Sequence, residues 1–403
     1  MTYDVAAVRA HFPSLASGFA HFDSPGGTQS PRPVAEAVAA ALAGPLSNRG
    51  SRTPGERNAD GFAVEGRRAL ADLLAVDPAG IVFGRSATQL TYDFSRTLAK
   101  TWAPGDEVVV TRLDHDSNIR PWVQAAASVG AVVRWADFDP ATGELAPWQI
   151  GAVLSERTRL VAVTAASNLI GTRPDIPAIA ELSHAAGALV YVDGVHHAAH
   201  ASVRLAELGA DFYTCSPYKF FGPHLGVLAA RPALLDTLAP DKLLPSTNVV
   251  PERFEFGTLP YELLAGTRAA VDFLAALGPA DAAGGTRRER LVAAHAVLDA
   301  HEAGLRRRLE QGIAEFGDVT VHSRAAHRTP TLLLTIEGRS TVDAYEFLAE
   351  RKVHAPSGAF YAVEASRRLG LGDDGGLRVG LAPYTDTDDV DRLLSALGDF
   401  LKE

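Results

Sequence analysis

The chain has 403 residues, of which 47% are hydrophobic and 21% are charged, and its formal net charge is −10. This length and composition are typical of a soluble globular enzyme with two domains, and the negative charge without any basic run argues against a nucleic-acid-binding surface. A single cysteine excludes an internal disulfide and a cysteine-based zinc site. We therefore expect no metal.

The first residues, MTYDVAAVRAHFPSLASG, lack the charged and apolar regions of a signal peptide. No uninterrupted apolar run of the sequence approaches the length that a membrane-spanning helix needs. We therefore expect a cytoplasmic protein that has neither a membrane nor a nucleic acid as its partner.

Short apolar runs alternate with helical patterns along the first part of the chain. The helical pattern is clear in LTYDFSRTLAKTW (90–102) and IPAIAELSHAAG (176–187). Such alternation predicts an α/β fold in which a largely parallel sheet is covered by helices on both faces. The runs that we expect to be strands are 80–83, 107–111, 131–135, 159–164, 188–192, 210–215 and 226–229.

The pattern changes after a loop rich in Pro, Asn and Thr that leads to Gly257. Two helical patterns, AGTRAAVDFLAAL and RRERLVAAHAVL, are followed by apolar runs near TVH, PTLLLTI and LRVGLA. We therefore predict an N-terminal segment (1–30) that contributes to the active site, a large domain (31–265) and a smaller C-terminal α+β domain (266–403).

Two ionisable residues follow strands of the predicted sheet. Asp193 comes directly after ALVYV, and Lys219 comes shortly after ADFYTC. Active groups of open α/β sheets collect at the carboxyl edge of the strands, so we expect the two side chains to lie close together. A lysine amine that bonds an aldehyde, beside a carboxylate that keeps a ring nitrogen protonated, suits pyridoxal 5′-phosphate (PLP). Taken singly, a surface lysine and a helix-capping aspartate would be the simpler interpretation.

Other strand ends carry groups that the same cofactor needs. Ser86, Ala87 and Thr88 lie between GIVF and a helical pattern, where free N–H groups and hydroxyls can bind a phosphate, although a simple N-cap is the commoner role. His115 follows EVVVT and Asn168 follows RLVAVT. The imidazole can stack on a pyridine ring and the amide can donate to its hydroxyl, but both residue types are also common in turns. Because several strand ends agree, the sequence favours a PLP site.

The ordered set of motifs resembles the class V aminotransferase and cysteine desulfurase branch of the fold-type I PLP-dependent enzymes. The resemblance runs over nearly the whole chain, through HFDSPGGTQSP, RSATQ, LDHDSNIRPW, SNLIGT, VDGVHHAAH, CSPYKFFGPHLGVL, EFGTLP and LRVGLAPYTDTDDVDRLL. It implies the fold-type I architecture, with PLP bound by the large domain, and a homodimer with shared active sites. It also implies an amino acid or an amino-acid conjugate as substrate.

The resemblance implies roles for individual residues. Lys219 forms the Schiff base with PLP, Asp193 binds the pyridine nitrogen and His115 stacks on the ring. Asn168 lies near the ring hydroxyl and the substrate carboxylate, and Arg378 binds that carboxylate through its planar guanidinium group. The groups that the resemblance places around the phosphate are Thr88, Ser216, the N–H of Ala87 and, from the neighbouring subunit, Thr258.

Some positions differ from the family pattern. Tyr218 stands where the family usually has a histidine, and its phenol can still hydrogen-bond the phosphate. His196 stands where glutamine is common; it can donate to the ring oxygen, and we expect it to titrate near neutrality. The Gly26–Gly27 pair, near the carboxylate pocket, either leaves room for a bulky substrate or forms a tight turn.

The stretch KVHAPSGAFYAVEA (352–365), where cysteine desulfurases carry their nucleophilic cysteine, contains none. The single cysteine, Cys215, lies inside a predicted strand, and we expect it to be a buried core residue. We therefore expect no persulfide on the protein. The favoured reaction is a C–S lyase-like β-elimination.

Other functions stay open from the sequence. An aminotransferase or an epimerase would use the same scaffold, because removal of the α-proton also begins those reactions. A non-catalytic PLP-fold partner protein is an alternative of another class, but the joint presence of Lys219, Asp193, His115 and Arg378 argues against it. A Rossmann dehydrogenase is disfavoured because no G-x-G-x-x-G follows a predicted strand.

Overall fold

The computed structural model describes residues 3–403. Its strands are β1 (Ala20–His21), β2 (Ile81–Gly84), β3 (Glu107–Thr111), β4 (Val132–Ala136), β5 (Thr158–Thr164), β6 (Leu189–Asp193), β7 (Phe212–Cys215), β8 (Gly226–Ala230), β9 (Val319–Val321), β10 (Thr331–Ile336), β11 (Val353–His354), β12 (Ser357–Gly358) and β13 (Gly376–Gly380).

The helices in the same range are α1 (Val5–Arg9), α2 (Arg32–Ala43), α3 (Pro54–Leu74), α4 (Ala87–Ala99), α5 (Arg120–Val129), α6 (Pro147–Gly151), α7 (Ile176–Ala185), α8 (His197–His200), α9 (Leu205–Leu208), α10 (Pro232–Asp236), α11 (Tyr261–Ala276), α12 (Arg287–Ala314), α13 (Thr341–Glu350), α14 (Val363–Arg368) and α15 (Thr387–Phe400). Short 3₁₀ turns at Asp116–Asn118 and Pro217–Lys219 follow β3 and β7.

Within residues 3–403, the large sheet has seven strands in the order β2-β8-β7-β6-β5-β3-β4. Strand β8 is antiparallel to both neighbours, and the other pairings are parallel. Each strand corresponds to one of the apolar runs of the sequence, which confirms the predicted α/β class with a mostly parallel sheet. Because β2, β3, β5, β6 and β7 run in the same direction, their carboxyl ends meet at one edge of the sheet.

Burial explains why these segments are strands. Strands β3, β6 and β7 consist mainly of β-branched and aromatic residues with almost every side chain buried, the pattern of a parallel sheet covered on both faces. Apolar side chains pack on each face of this sheet, among them Val109 and Val163 on one face and Val108 and Leu160 on the other. The sheet is therefore a rigid base for the loops at its edge.

A second sheet forms the core of the C-terminal part. Strands β12, β13, β10 and β9 pair antiparallel in that order. Their apolar faces pack with helices α12, α13 and α15, and Ala20 and Phe22 of the N-terminal segment join the same core. Strand β1 pairs with β11, and Asp23 bridges to Gly380. The N-terminal segment is thereby held against the small sheet before it turns toward the large one.

The predicted domain boundary near residue 265 falls within α11, which packs against α2 and α3 of the large domain. Helix α12 crosses between the two cores, since Leu291 packs in the large core and Leu309 in the small one. A position inside a continuous helix gives no local signal in the sequence, and the boundary stays a prediction. In residues 3–403 no helix is long and apolar enough to cross a membrane.

Candidate active site

A cavity of about 800 Å³ opens at the carboxyl edge of the large sheet, between that sheet and the small domain. Its walls come from the N-terminal segment, the strand ends of the large sheet and strand β13. The predicted site residues that line it are Gly26, Ser86, Ala87, Thr88, His115, Asn168, Asp193, His196, Ser216, Tyr218, Lys219 and Arg378. The tertiary structure thus brings nearly the whole predicted set together around one space.

Lys219 lies in the 3₁₀ turn that follows β7, and its side chain is buried in the cavity wall. Its Nζ donates a hydrogen bond to the carbonyl of Pro25. Burial lowers the pKa of Lys219 to about 7, and the positive charge of Arg378 acts in the same direction, while Asp23 and Asp193 oppose the shift. The amine is therefore much closer to its neutral, nucleophilic form than a surface lysine is.

Asp193 is the last residue of β6, and its carboxylate is buried at the floor of the cavity. Its Oδ1 accepts a hydrogen bond of 2.9 Å from the N–H of Val195. Burial raises the pKa of Asp193 to about 6, and both that hydrogen bond and the nearby Lys219 counteract the shift. A cationic ring nitrogen beside this carboxylate would stabilise its charged form further.

His115 begins the 3₁₀ turn after β3, and its ring lines the cavity. Its Nδ1 accepts a hydrogen bond of 3.1 Å from the N–H of Ser117. Because a backbone N–H can only donate, the neutral imidazole carries its proton on Nε2. Burial lowers the pKa of His115 to about 4, with Lys219 and Arg378 contributing. The ring is therefore neutral near pH 7, as a ring that stacks on a pyridine should be.

The segment predicted to bind phosphate is the start of helix α4. Ser86 is its N-cap, and the Ser86 Oγ accepts a hydrogen bond of 3.1 Å from the N–H of Gln89. The helix-capping role is thus present, and the segment also faces the cavity. Strand β8 passes so close to Ser86 that a Cβ on Gly226 would lie 2.2 Å from the Ser86 carbonyl carbon, so this position requires glycine. The N-terminus of this helix supplies N–H groups and a positive dipole end that suit an anion.

Arg378, on β13, reaches from the small domain into the cavity. Its Nη2 forms an ion pair of 2.6 Å with Asp23 Oδ1, and its Nη1 donates to the Asn168 carbonyl at 3.1 Å. The guanidinium lies 3.6 Å from the centre of the Phe360 ring. Its buried Nε has no hydrogen-bond partner in the described part of the chain. Arg378 is therefore held in place, and its Nε–H is among the donors left for a ligand.

The Asn168 side chain is oriented by the small domain. Its Nδ2 donates a hydrogen bond of 2.9 Å to the carbonyl of Phe360, while its buried Oδ1 has no partner among residues 3–403. The sequence predicted that the amide donates to the cofactor hydroxyl. In the structure one amide hydrogen is already used, so Asn168 also connects the two domains.

Gly26 and Gly27 form a turn in which both N–H groups donate to the Asp23 carbonyl. A Cβ on Gly26 would lie 2.3 Å from Oδ2 of Asp23, the carboxylate that pairs with Arg378. A Cβ on Gly27 would lie 3.2 Å from the Tyr218 ring. The tight-turn interpretation therefore accounts for this glycine pair. Gly26 also lines the cavity, whereas Gly27 is not part of its wall.

His196 is buried, and its Nε2 lies 2.9 Å from Thr329 Oγ1 and 3.0 Å from Thr331 Oγ1. Its Nδ1 has no hydrogen-bond partner within residues 3–403. The expected titration near neutrality is wrong, because burial and the neighbouring His200 hold the pKa of His196 well below its usual range. The contact of His196 with the cofactor ring oxygen stays a prediction, for which Nδ1 is the ring nitrogen without a partner in the described residues.

Two further histidines, for which the sequence indicated no role, are buried and hydrogen-bonded. His200 Nδ1 lies 2.9 Å from Glu302 Oε2, which belongs to α12. His197 Nδ1 lies 3.0 Å from the Tyr213 hydroxyl. These contacts fasten helix α8, directly after Asp193, to α12 and β7.

Tyr218 lines the cavity, and its ring stacks on His224 with a centroid distance of 4.7 Å and an angle of 16° between the rings. Thr258 lies elsewhere in the protomer. It is exposed and lines a separate groove of about 280 Å³, together with His224 and Phe256. Within one protomer, Thr258 is therefore not brought to the cavity that holds Lys219.

The residues of the cavity fit PLP. The aldehyde needs a buried amine, the pyridine nitrogen a carboxylate and the phosphate a helix N-terminus, and the cavity supplies these with Lys219, Asp193 and helix α4. The buried Oδ1 of Asn168 and Nδ1 of His196 have no partner in the described residues, so both are available for hydrogen bonds with a ligand in the cavity.

Several cavity residues were not predicted from the sequence. Among them are Asp23, Tyr92, Asp116, Arg120, Gln124 and Tyr361. Asp23 follows the short strand β1 and gave the same signal as Asp193, an acidic residue after an apolar run. Tyr361 lies in the stretch 352–365, for which the sequence indicated only that a cysteine is absent. No periodicity or spacing marks Tyr361 as a cavity residue.

The aminotransferase class-V family profile matches residues 20–393, and the chain belongs to this family. A probable cysteine desulfurase of Pseudomonas aeruginosa is 30% identical, with 96% of each chain covered. The aminotransferase-like protein FGM3 of Gibberella zeae is 31% identical over 98% of each chain. The crystal structure of the cysteine desulfurase CsdA from Escherichia coli superposes with a TM-score of 0.87 at 24% identity, over 100% of this chain and 99% of the other.

Family membership and the shared fold confirm the predicted fold-type I architecture and the prediction that the cofactor is PLP. The protein is therefore a PLP-dependent enzyme of the class V aminotransferase and cysteine desulfurase-like group. The relatives described as aminotransferase-like and as a probable cysteine desulfurase both match over nearly the whole chain.

Proposed function

We propose that the protein is a PLP-dependent lyase that removes a thiol from a cysteine S-conjugate by β-elimination. The observation that carries this proposal is that no cysteine thiol of the chain lies at the cavity. The loop 353–362, where desulfurases carry their nucleophile, reaches the cavity with Phe360 and Tyr361. The only cysteine, Cys215, is buried in the core of β7, and burial raises the pKa of its thiol. A protein that cannot accept sulfur as a persulfide releases it to solvent.

The chain's own residues account for substrate binding. Arg378 offers a free Nε and a fixed guanidinium plane to the α-carboxylate, and the ion pair with Asp23 keeps that plane in place. Bound PLP withdraws electrons from the α-carbon and so acidifies its proton. Asp193 would balance the positive charge of the ring nitrogen, and neutral His115, which lines the same cavity, would add no competing charge.

Lys219 is the proposed base. With its amine free, a pKa of about 7 makes Lys219 an effective proton acceptor near neutral pH. Nζ takes the α-proton. The C–S bond then breaks, the thiolate leaves with the bonding pair, and it is protonated to a thiol. The remaining unsaturated amino acid reacts with water to give pyruvate and ammonia, so atoms and electrons balance.

The purified holoenzyme and a panel of cysteine S-conjugates test this function. We expect equal amounts of thiol, pyruvate and ammonia, and we expect loss of all three with Lys219→Ala. Proton exchange at the α-carbon in D₂O, followed by NMR, serves as a second measurement. Exchange without thiol release, or formation of a keto acid with the side chain intact, would replace the lyase by an epimerase or an aminotransferase. No exchange with any conjugate would favour a non-catalytic protein.

We also propose that the protein is a homodimer with shared active sites. Phe256 is 46% exposed and lies beside Thr258, which faces solvent in the protomer. The same segment exposes Leu244 and Val249. An apolar surface of this kind supports contact with a second copy, and the family resemblance implies that the partner's Thr258 then reaches the phosphate.

A further inference from the structure

The backbone at the mouth of the cavity is strained at two successive residues. Phe360 has φ 49° and Tyr361 has φ 59°, both in the left-handed region. Residues other than glycine adopt this conformation only where surrounding contacts fix them, and backbone strain of this kind clusters at ligand sites.

Both domains fix this backbone. The Phe360 carbonyl accepts from Asn168 Nδ2 at 2.9 Å, and the Tyr361 carbonyl accepts from the N–H of Asp116 at 2.7 Å. The Phe360 ring packs under the guanidinium of Arg378. Each contact joins the loop to a residue that also lines the cavity, so the loop cannot move independently of the site.

Helix α14, directly after the loop, adds a second attachment. Its Glu364 is paired with Arg112 at 2.7 Å and with Arg120 at 2.6 Å, both residues of the large domain. Arg120 also pairs with Asp116 at 2.8 Å, and Arg112 with Asp137 at 2.7 Å. The charges around the mouth are thus paired with one another, with three carboxylates against two arginines. A second negative charge on the substrate finds no unpaired arginine in this cluster.

The contacts leave the Tyr361 ring at the mouth, 74% exposed. It stacks on His115 with a centroid distance of 5.4 Å and an angle of 28°. Core packing does not explain why the Tyr361 backbone is strained, because the Tyr361 ring faces solvent. A ligand that leaves the cavity past His115 would cover it.

We propose that Tyr361 is a specificity-determining residue that binds a flat, uncharged substituent on the sulfur of the substrate. The inference rests on the proposed function, which supplies a substrate whose sulfur carries a substituent. A cavity of about 800 Å³ has room for more than an amino acid beside the cofactor. The substrate class is therefore cysteine S-conjugates with an aromatic group, in preference to S-methyl or S-carboxymethyl conjugates.

Binding of unreactive analogues tests the proposal without relying on catalysis. Replacing the sulfur by a methylene gives 2-amino-5-phenylpentanoate, 2-aminopentanoate and 2-aminoadipate, which match the benzyl, methyl and carboxymethyl conjugates and have no leaving group. Dissociation constants for the holoenzyme are measured by calorimetry. We expect the phenyl analogue to bind tightest and the dianionic analogue weakest.

Two variants of Tyr361 separate stacking from other effects. Tyr361→Phe keeps the ring, and we expect it to keep the preference. Tyr361→Asn removes the ring with a residue that tolerates the left-handed backbone, and we expect the preference for the phenyl analogue to fall by about 3- to 10-fold. Trp148→Ala, on α6 outside the cavity wall, removes a ring that is 70% exposed and is the control, and we expect it to leave the preference unchanged.

An unchanged preference in Tyr361→Asn, or tightest binding of 2-aminoadipate by the unaltered protein, would overturn the proposal. Thiol release from the conjugates is measured in parallel. Release without an aromatic preference leaves the lyase function standing and removes the role of Tyr361. An aromatic preference without release supports the binding role and removes the lyase function.

Discussion

Burial acts in opposite directions on the two ionisable residues at the centre of the cavity. It lowers the pKa of Lys219 and raises that of Asp193, and each residue partly offsets the shift of the other by its charge. His115 is kept neutral by burial and by the nearby cations. These shifts follow from position in the sheet rather than from residue type.

Covalent capture of PLP by the cofactor-free protein should depend on pH through Lys219. Only the neutral amine bonds the aldehyde, so the rate should rise with pH and reach half its maximum at about 7, instead of near the ordinary lysine value of 10.5. The measurement is the growth of visible absorbance between pH 5.5 and 9, with Lys219→Ala as the control that captures nothing. A midpoint near 10 would contradict a buried amine.

Asp193→Asn should keep PLP bound but slow turnover. An amide cannot balance the charge of the ring nitrogen, and loss of a charge-assisted hydrogen bond, about 1.5–3 kcal/mol, corresponds to a rate loss of about 10- to 100-fold. The cofactor content and kcat of the purified variant are compared with those of the unaltered protein. Normal turnover would show that Asp193 is only structural.

Cys215→Ala should retain most of the activity and lose about 1 kcal/mol of stability, the typical cost of removing a small buried group. Its side chain is fully buried and does not belong to the cavity wall. Intact-protein mass after incubation with cysteine should show no added sulfur. A gain of one sulfur atom on Cys215, with an inactive alanine variant, would restore an ordinary desulfurase mechanism.

At the scale of elements, short turns after the strands orient the cavity residues. The turn after β3 depends on Asp114, a fully buried carboxyl group. Asp114 bonds the Thr111 hydroxyl, and its Oδ1 accepts from Asn118 Nδ2 at 2.7 Å. The Asn118 Oδ1 in turn accepts from Trp122 Nε1 at 3.0 Å. This chain of hydrogen bonds fixes the backbone from which His115 projects.

Asp114 should make the protein less stable as the pH rises. Burial raises the pKa of Asp114 from 3.8 to about 8. A carboxyl group whose pKa is higher in the folded state binds more protons there, so stability is greatest below the unfolded pKa and declines as the pH rises toward 8. Asp114→Asn mimics the protonated form and should remove much of this decline. The decline is measured as the difference between the melting temperatures at pH 6 and 8.5. An equal decline in the unaltered protein and in Asp114→Asn would contradict the raised pKa of Asp114.

At the scale of the molecule, the cavity requires both domains and, by our proposal, two chains. Arg378 and the loop 353–362 come from the small domain, while Lys219 and Asp193 come from the large one. Glu364 and Asn168 connect the two. A change in domain position would therefore alter substrate binding at once.

The dimer proposal predicts twice the mass of one chain in solution by light scattering at low concentration. Thr258→Ala should weaken PLP binding without loss of dimerisation, because a hydroxyl on the partner's phosphate is removed while the apolar contacts stay. Thr320→Ala, at an exposed position of β9 away from the groove of Thr258, is the matched control. A monomer with full PLP content and activity would contradict shared sites.

The positions of the strands along the chain, and the residues at their ends, could be predicted from the sequence. Apolar, β-branched runs marked all seven strands of the large sheet, and the direction of parallel strands places Lys219, Asp193, His115 and Asn168 at one edge. These signals are local in the chain. The absence of a cysteine in the loop 353–362 is also a property of sequence alone.

Only the tertiary structure decided the contacts between distant segments. The Asp23–Arg378 ion pair, the stacking of Tyr361 on His115 and the buried, neutral state of His196 join residues far apart in the chain. Hydrogen bonding and desolvation depend on which groups meet, and no periodicity encodes that. The sequence therefore determined the fold and the cofactor chemistry, while packing of the two domains decided the charge states and the shape of the cavity mouth.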